Sequence, residues 1–298
     1  MTYNEIEAFL EVVRCGSLSR AAQSLFVSQS TLSGRIMSLE SELGMTLLVR
    51  RRGMRNAELT EEGRDFIPIA EKWRRLWNDT RAVTTRRGVR MLRAASIYSI
   101  NAYIMPSVYS RFYRENPDIK LSLLTSHSYE VYHMIESGEA EIGIISRTEF
   151  STRVETRPIY SEEMCFICCS GSAYKGQVHP SHLDPDHELC LSWNREFDAW
   201  HDYWFGANTH PALTTDDASV MCGFVGVGEH WAIVPVSVAD KLVRTGTVRT
   251  CRLLDPPEPR QLYLLSPANE PVTQEGRLLL RTMHEVLSQG GGRWLYDV

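Results

Sequence analysis

The chain is expected to fold as an α/β protein in two parts: a small helical N-terminal module with a basic hairpin, then a bilobed domain of alternating strands and helices. Three observations carry that expectation. Residues 17–43 read as a helix pair around a tight turn. Charge is divided along the chain: residues 1–90 hold 15 Lys and Arg against 11 Asp and Glu, while the remainder holds 17 against 26. From residue 89 the apolar pattern changes to strand, helix, strand, helix, strand, the signature of an α/β domain. At 298 residues, 43% hydrophobic and 23% charged, the chain suits a globular protein larger than a single small module.

Residues 4–14 place Ile6, Phe9, Leu10 and Val13 on one face, with Asn4 as the expected cap and Gly16 as the stop. Ala21, Ala22 and Leu25 give the next helix a small inner face, Phe26-Val27 is the turn, and Ser28 can cap the helix that follows. There Leu32, Ile36, Leu39 and Leu43 form an apolar stripe. The other side carries Gln29, Ser30, Thr31, Ser33 and Arg35. Hydrogen-bonding side chains at a helix N-terminus are what a helix-turn-helix inserts into the major groove of DNA. Gly44 ends this helix. Two short extended segments, 47–49 and 57–59, flank a turn that carries Arg50, Arg51, Arg52 and Arg55. This is a wing, and its arginines suit backbone phosphate beside the groove. Thr60 caps a long helix in which Phe66, Ile69, Trp73, Leu76, Thr80 and Val83 follow a heptad seam, with Pro68 expected to bend it. Such a seam predicts pairing with a second copy. Arg86-Arg87-Gly88 ends the helix.

Strands are expected at 91–96, 120–125 and 141–146, with helices at 104–113 and 129–137 between them, in a largely parallel sheet. Residues 157–169 add two strands. A second lobe follows, with a strand at 189–193, helices at 197–205 and 218–227, and a strand at 231–234. A returning strand at 261–266 and a helix at 272–288 rejoin the first lobe, and Gly290-Gly291-Gly292 opens a tail. The expected domains are therefore 1–59, a winged helix-turn-helix; 60–88, a linker helix; and 89–298, a bilobed α/β domain. Lobe I of the last covers about 89–161 and 266–298, and lobe II about 162–265.

In such folds ligands collect at strand C-terminal ends and helix N-termini. The candidates there are Ser96, Tyr98, Ser99 and Asn101, then Thr125, Ser126 and His127, then Ser146 beside Arg147, with Trp193 and Asn194 facing them from the second lobe. The expected ligand is an organic anion, aromatic in one version. Most of the second lobe's aromatic residues read as core. Two other groups are set aside. Cys165 and Cys168 alternate to opposite faces of a strand, and His179, His182, Asp184 and His187 lack strict ligand spacing. Neither a metal nor a cofactor is expected. An enzyme with a regulatory N-terminus would need a nucleophile elbow, a phosphate loop or a firm metal motif, and the sequence offers none. A purely architectural DNA binder is the other alternative, and a cleft filled by side chains would favour it. Seven cysteines, odd in number and irregularly spaced, suit a reducing cytoplasm. Glu5, Glu7, Glu11 and Arg14 interrupt any apolar targeting core, and no apolar run is long enough for a bilayer.

The chain resembles the LysR-type transcriptional regulators along essentially its whole length. The resemblance rests on Phe9, Gly16-Ser17-Leu18, Ala21-Ala22, Val27-Ser28-Gln29-Ser30, Ser33, Ile36, Leu39-Glu40, Leu43-Gly44, Leu47-Leu48-Val49-Arg50 and Leu59-Thr60-Glu61-Glu62-Gly63. Downstream, Pro106, Phe112, Asn116-Pro117, the stretch 136–141 and Val234-Pro235 also match. Leu48 stands where the family usually has an aromatic. Gly228-Glu229-His230 stands where it often has Gly-x-Gly, which sets the imidazole of His230 near the expected cleft. The resemblance implies a winged helix-turn-helix, a dimerising linker helix and a periplasmic-binding-protein-like effector domain. It further implies a homotetramer, commonly a dimer of dimers, on promoter double-stranded DNA with two half-sites. A small-molecule effector would lie between the lobes.

Overall fold

The computed structural model describes residues 1–49, 57–83 and 90–297. The chain forms two compact units, the first of residues 1–89 with 136–139 and the second of 90–135 with 140–298. Among the described residues no helix is long and apolar enough to cross a membrane.

In the first unit, α1 (Tyr3–Cys15), α2 (Leu18–Ser24) and α3 (Gln29–Leu43) enclose a core of Ile6, Phe9, Ala21, Leu32, Ile36 and Leu39. The cap of α1 is Thr2 rather than Asn4: its amide donates to the Glu5 carboxylate at 2.7 Å. Gly16 and Gly44 end α1 and α3 in the left-handed conformation (φ 62° and 68°), where glycine carries no Cβ penalty. Glu40 ties the end of α3 to the following strand by accepting from the amides of Leu47 (2.8 Å) and Leu48 (3.1 Å). β1 (Leu48–Val49) pairs antiparallel with β2 (Glu58–Leu59). The turn between them, with Arg50, Arg51, Arg52 and Arg55, lies outside the described residues.

Thr60 accepts from the Gly63 amide at 2.9 Å and starts α4 (Glu61–Val83). At Gly63 the helix passes so close to β1 that an added Cβ would lie 2.2 Å from the Leu47 carbonyl oxygen. The single heptad seam expected on α4 divides into two faces. Phe66, Ala70 and Trp73 pack on the first-unit core, and Trp73 stacks on Trp77 at 5.5 Å, while Ile69 and Leu76 are 52% and 66% exposed.

The second unit has two lobes. Lobe I is built on a six-stranded sheet ordered β14-β6-β13-β5-β3-β4, with β3 (Arg90–Ser96), β4 (Ile119–Thr125), β5 (Ile142–Ile145), β6 (Val154–Glu162), β13 (Arg260–Pro267) and β14 (Arg293–Trp294). The sheet is mixed rather than largely parallel. β3 runs parallel to β4 and β5, but β13 is antiparallel to β5 and β6, and β14 is antiparallel to β6. The triglycine does not open a tail, because the chain returns and sets Trp294 opposite Tyr160. Alternation along the strands sends Leu92, Ala94, Leu262 and Leu264 to one face, under α5 (Tyr98–Tyr103), α6 (Met105–Glu115) and α11 (Gln274–Leu287). Ala95, Ile145 and Leu265 go to the other, under α7 (Ser128–Glu136). Pro106 lies in the first turn of α6, where its missing N–H costs nothing, so the chain breaks at Ile104 and the preceding residues form the separate α5.

Lobe II holds a four-stranded sheet ordered β11-β7-β12-β8. Its strands are β7 (Met164–Cys169), β8 (Gln177–Val178), β11 (Trp231–Pro235) and β12 (Val248–Leu253). A parallel pair, β9 (Leu189–Cys190) and β10 (Leu213–Thr214), joins α8 (Arg195–Phe205), α9 (Ala218–Phe224) and α10 (Val236–Val243) around it. Phe166, Phe197 and Trp231 are buried at its centre. The two lobes are connected where β6 runs into β7 and where the chain returns from β12 to β13.

Candidate nucleic-acid interface and ligand cleft

At the start of α3, Ser28 accepts from the Thr31 amide at 3.1 Å, and its Oγ lies 2.8 Å from the hydroxyls of both Ser30 and Thr31. Gln29, Ser30 and Thr31 are exposed, Ser33 and Arg35 are half-buried, and Leu32, Ile36 and Leu39 lie inward. The helix thus presents an N-terminal cluster of donors and acceptors held by its own cap. Phe26, in the turn ahead of it, is 95% exposed with φ 54°, a left-handed backbone that bulky side chains avoid.

The second unit contains a cleft of about 630 Å³ between its lobes. Of the residues singled out in the sequence, Tyr98, Ser99, His127, Ser146 and Trp193 line it, as does Arg147. Their placement follows from strand ends: β3 delivers Tyr98 and Ser99, β4 delivers His127, and β5 delivers Ser146 and Arg147. Tyr98, His127 and Tyr129 form an aromatic group on one wall, with Tyr98 and His127 centroids 5.8 Å apart and His127 stacked on Tyr129 at 6.2 Å. Ser99 accepts from the Arg260 guanidinium at 3.0 Å, which leaves its own hydroxyl hydrogen to be donated. Ser146 donates to the Trp193 carbonyl at 3.3 Å. Arg147 reaches from lobe I to lobe II, where it bonds the Ser192 hydroxyl and pairs with Asp198 at 2.9 Å.

The other candidates lie off the cleft. Ser96 is buried and donates to the Ile144 carbonyl at 2.9 Å. Asn101 is on α5 and uses its amide to bridge the Leu124 carbonyl (3.1 Å) and the Thr125 hydroxyl (2.7 Å), which occupies Thr125 as well. Ser126 follows β4 with its amide bonded to the Ser96 carbonyl at 3.1 Å. Asn194 is the cap of α8, accepting from the Phe197 amide at 2.8 Å. His230 stands ahead of β11 with its ring 6.4 Å from that of His187. Tyr129, Glu149, Ser192, Thr215 and Asp216 also line the cleft and are not among the residues that the sequence pattern singles out. Thr214 ends a two-residue strand too short to leave an alternating pattern, and Thr215 follows it.

Beneath Ser99, Arg260 and Glu162 form a buried pair, each about 1% exposed, with Nη1 3.8 Å from Oε1. Glu162 also accepts from the Ser237 amide at 3.1 Å, and Arg260 lies over the Trp193 ring at 5.4 Å. Burial pulls the Arg260 pKa down, against the opposing pull of Glu162. Among the suspected thiol and histidine groups, all seven cysteines are free, and His179 bonds Ser181 within its own turn.

A helix-turn-helix module followed by a bilobed domain with an inter-lobe cleft defines a two-domain class of protein that joins a DNA-binding type of module to a ligand-binding type of domain. The comparisons agree. Residues 3–64 match the family described as "Bacterial regulatory helix-turn-helix protein, lysR family", and residues 86–288 match the LysR substrate binding domain. The chain belongs to the LysR family of DNA-binding regulators. It is 31% identical over 150 residues to the HTH-type transcriptional regulator cbl of Escherichia coli, a match covering 49% of this chain and 47% of cbl. Against several such curated relatives the chain spans only about half their length. With the HTH-type transcriptional regulator SsuR of Burkholderia cenocepacia it shares 27% identity over 83% of both chains. Two solved structures share the fold. A full-length OxyR variant from Pseudomonas aeruginosa has a TM-score of 0.67 at 20% identity over 95% of each chain. CbnR in complex with its target DNA has 0.63 at 21% identity, over 97% of this chain and 99% of that one.

Proposed function

We propose that the protein is a transcriptional regulator that reads promoter DNA with α3 and is controlled by a small organic anion held between its lobes. The cleft carries this reading. It is open, it joins two lobes, and it shares a chain with a recognition helix, which a purely architectural DNA binder would not require. The Ser99 hydroxyl supports an anionic group, since it accepts from buried Arg260 and keeps its hydrogen to donate. Ser128 and Tyr129, in the first turn of α7, line the same cleft, where the helix dipole favours negative charge. The Tyr98–His127–Tyr129 group supports a flat or aromatic body. Glu149 and Asp216 can accept from a hydroxyl or amino group at the far end.

On DNA, Gln29 and Arg35 are assigned to base edges, with Ser30, Thr31 and Ser33 beside them, and Arg50, Arg51, Arg52 and Arg55 to phosphate. The exposed Ile69 and Leu76 support pairing of α4 with a second copy, and a dimer of dimers on two half-sites is the expected assembly. Residues 1–59, 60–88 and 89–298 take the roles of reader, linker and sensor. Seven free thiols support a cytoplasmic setting.

Selection from a random duplex pool with the full chain should enrich a motif with two related half-sites. On that motif Arg35→Ala should cost discrimination, whereas Arg52→Ala should weaken all duplexes and flatten the salt dependence. Equal loss on specific and random DNA for Arg35→Ala would contradict the assignment. A thermal-shift screen of small organic acids on the full chain should give hits that raise the melting temperature and are abolished by Ser99→Ala. Hits confined to cations or sugars would overturn the anion reading.

A further inference from the structure

Lobe II buries a polar group that neither the cleft nor the DNA reader uses. Glu188 immediately precedes β9 and Cys190 ends it. Being two residues apart in extended chain, they face the same side. His201 comes from the middle of α8 and meets them there. The ligand atoms of all three lie within 4.8 Å of one another. Glu188 Oε2 is 2.8 Å from His201 Nε2, and their side chains are 1% and 12% exposed. The Phe197 and Phe205 rings lie 6.0 and 5.1 Å from the imidazole, so the surroundings are apolar. Among the described residues, Glu188 Oε1 is buried and accepts no hydrogen bond. A carboxylate half-satisfied in an apolar shell is costly, and a bound cation is one of the few ways to compensate it.

We propose that Glu188, Cys190 and His201 bind one divalent transition-metal ion of the zinc type, with three protein ligands and a fourth position open. The donor set selects the ion: thiolate and imidazole disfavour magnesium and calcium and suit zinc. Metal–ligand distances of about 2.0–2.3 Å in a tetrahedron put ligand atoms roughly 3.3–3.7 Å apart. The Glu188–His201 contact, at 2.8 Å, is shorter than that spacing and the 4.8 Å limit of the group is wider, so on loading the contact opens by about half an ångström and the three ligands close on the ion. β9 continues directly into Leu191, Ser192 and Trp193 of the cleft wall, so the metal would stiffen the strand that carries them.

The test uses the full-length chain, reduced and stripped with a chelator, then titrated with Co²⁺ as a spectroscopic probe. One Co²⁺ per chain should give a thiolate-to-cobalt charge-transfer band and a four-coordinate visible spectrum, both removed by Zn²⁺. Cys190→Ser should abolish the charge-transfer band, and His201→Gln should weaken Co²⁺ binding on the order of a hundredfold or more. Cys222→Ser, at a half-buried thiol outside the group, should change neither. In the unaltered chain Zn²⁺ should protect Cys190 from alkylation, read by mass spectrometry, which keeps the test valid if the variants do not fold. Absence of the band, its survival in Cys190→Ser, or equal alkylation of Cys190 with and without Zn²⁺ would overturn the proposal.

Discussion

Glu162→Gln is the substitution whose consequence the structure makes most definite. Glutamine keeps the shape of the side chain and an oxygen to accept from the Ser237 amide, so the change removes charge and little else. What it leaves is the Arg260 guanidinium, about 1% exposed, without its counter-ion at 3.8 Å. At an effective dielectric of about 20, two unit charges at that distance attract by roughly 4 kcal/mol, which agrees with the ~3–5 kcal/mol measured when one member of a buried pair is removed. For a unit of this size each kcal/mol moves the melting temperature by about 2–4 °C, so a fall of roughly 10 °C is expected. Calorimetry should confine the shift to the transition of the second unit. Arg260→Met, which removes the stranded charge, should rescue much of the loss when combined with Glu162→Gln, giving a coupling well above ~1 kcal/mol in a double-mutant cycle. Trp193, with its ring under Arg260, supplies a fluorescence signal for the same site. A shift under about 2 °C for the single variant, or strict additivity in the cycle, would refute the reasoning.

Three other outcomes follow from the geometry. Arg147→Ala breaks the link from lobe I to Asp198 and Ser192; both charged side chains are about a third or more exposed, so stability should change by less than ~1 kcal/mol while ligand affinity measured by calorimetry falls. Gly63→Ala would force a Cβ to within 2.2 Å of the Leu47 carbonyl, so α4 must shift off β1 at a cost of about 1–3 kcal/mol, read as a lower melting temperature of the first unit; an unchanged value would contradict the close approach. Burial pushes the Cys165 thiol up to about 11, with nearby Asp240 adding to the effect. Its alkylation at pH 8 should therefore run roughly a hundredfold slower than that of a small free thiol, and labelling at the free-thiol rate would contradict this.

Much of the architecture could be read from residue spacing, because the signals were local. Ser28, Leu32, Ile36 and Leu39 specify a capped amphipathic helix wherever it is placed. The alternation from residue 89 announces strands that bury both faces. What could not be read was set by partners distant in the chain. The α4 seam divides because Tyr3 and Phe9 of α1 claim part of it: Tyr3 stacks on Trp77 at 6.1 Å and Phe9 meets Phe66 at 5.4 Å, leaving Ile69 and Leu76 outward. The sheet is mixed because β13 returns after a long excursion and inserts between β5 and β6. In the cleft, Ser99 and His127 could be anticipated from strand ends. Asn101 and Asn194 look the same in sequence but spend their amides on local backbone and neighbouring strands. Arg260 is not legible in the sequence because a charged residue at the start of a strand reads as exposed, and only the fold sets Glu162 beside it.

The path of the chain between the lobes has a consequence for how the protein is made. Lobe II occupies one continuous stretch, from β7 to β12, whereas lobe I is opened before it and finished after it by β13, α11 and β14. During synthesis the ribosome releases everything needed for lobe II while lobe I still lacks a central strand. The earlier strands β5 and β6 must then wait with unpaired edges, the condition in which nascent chains are most prone to aggregate. Premature termination between residues 254 and 260 would thus spare lobe II and ruin the lobe that begins first, and quality control would meet a chain folded towards its end and open in the lobe made before it.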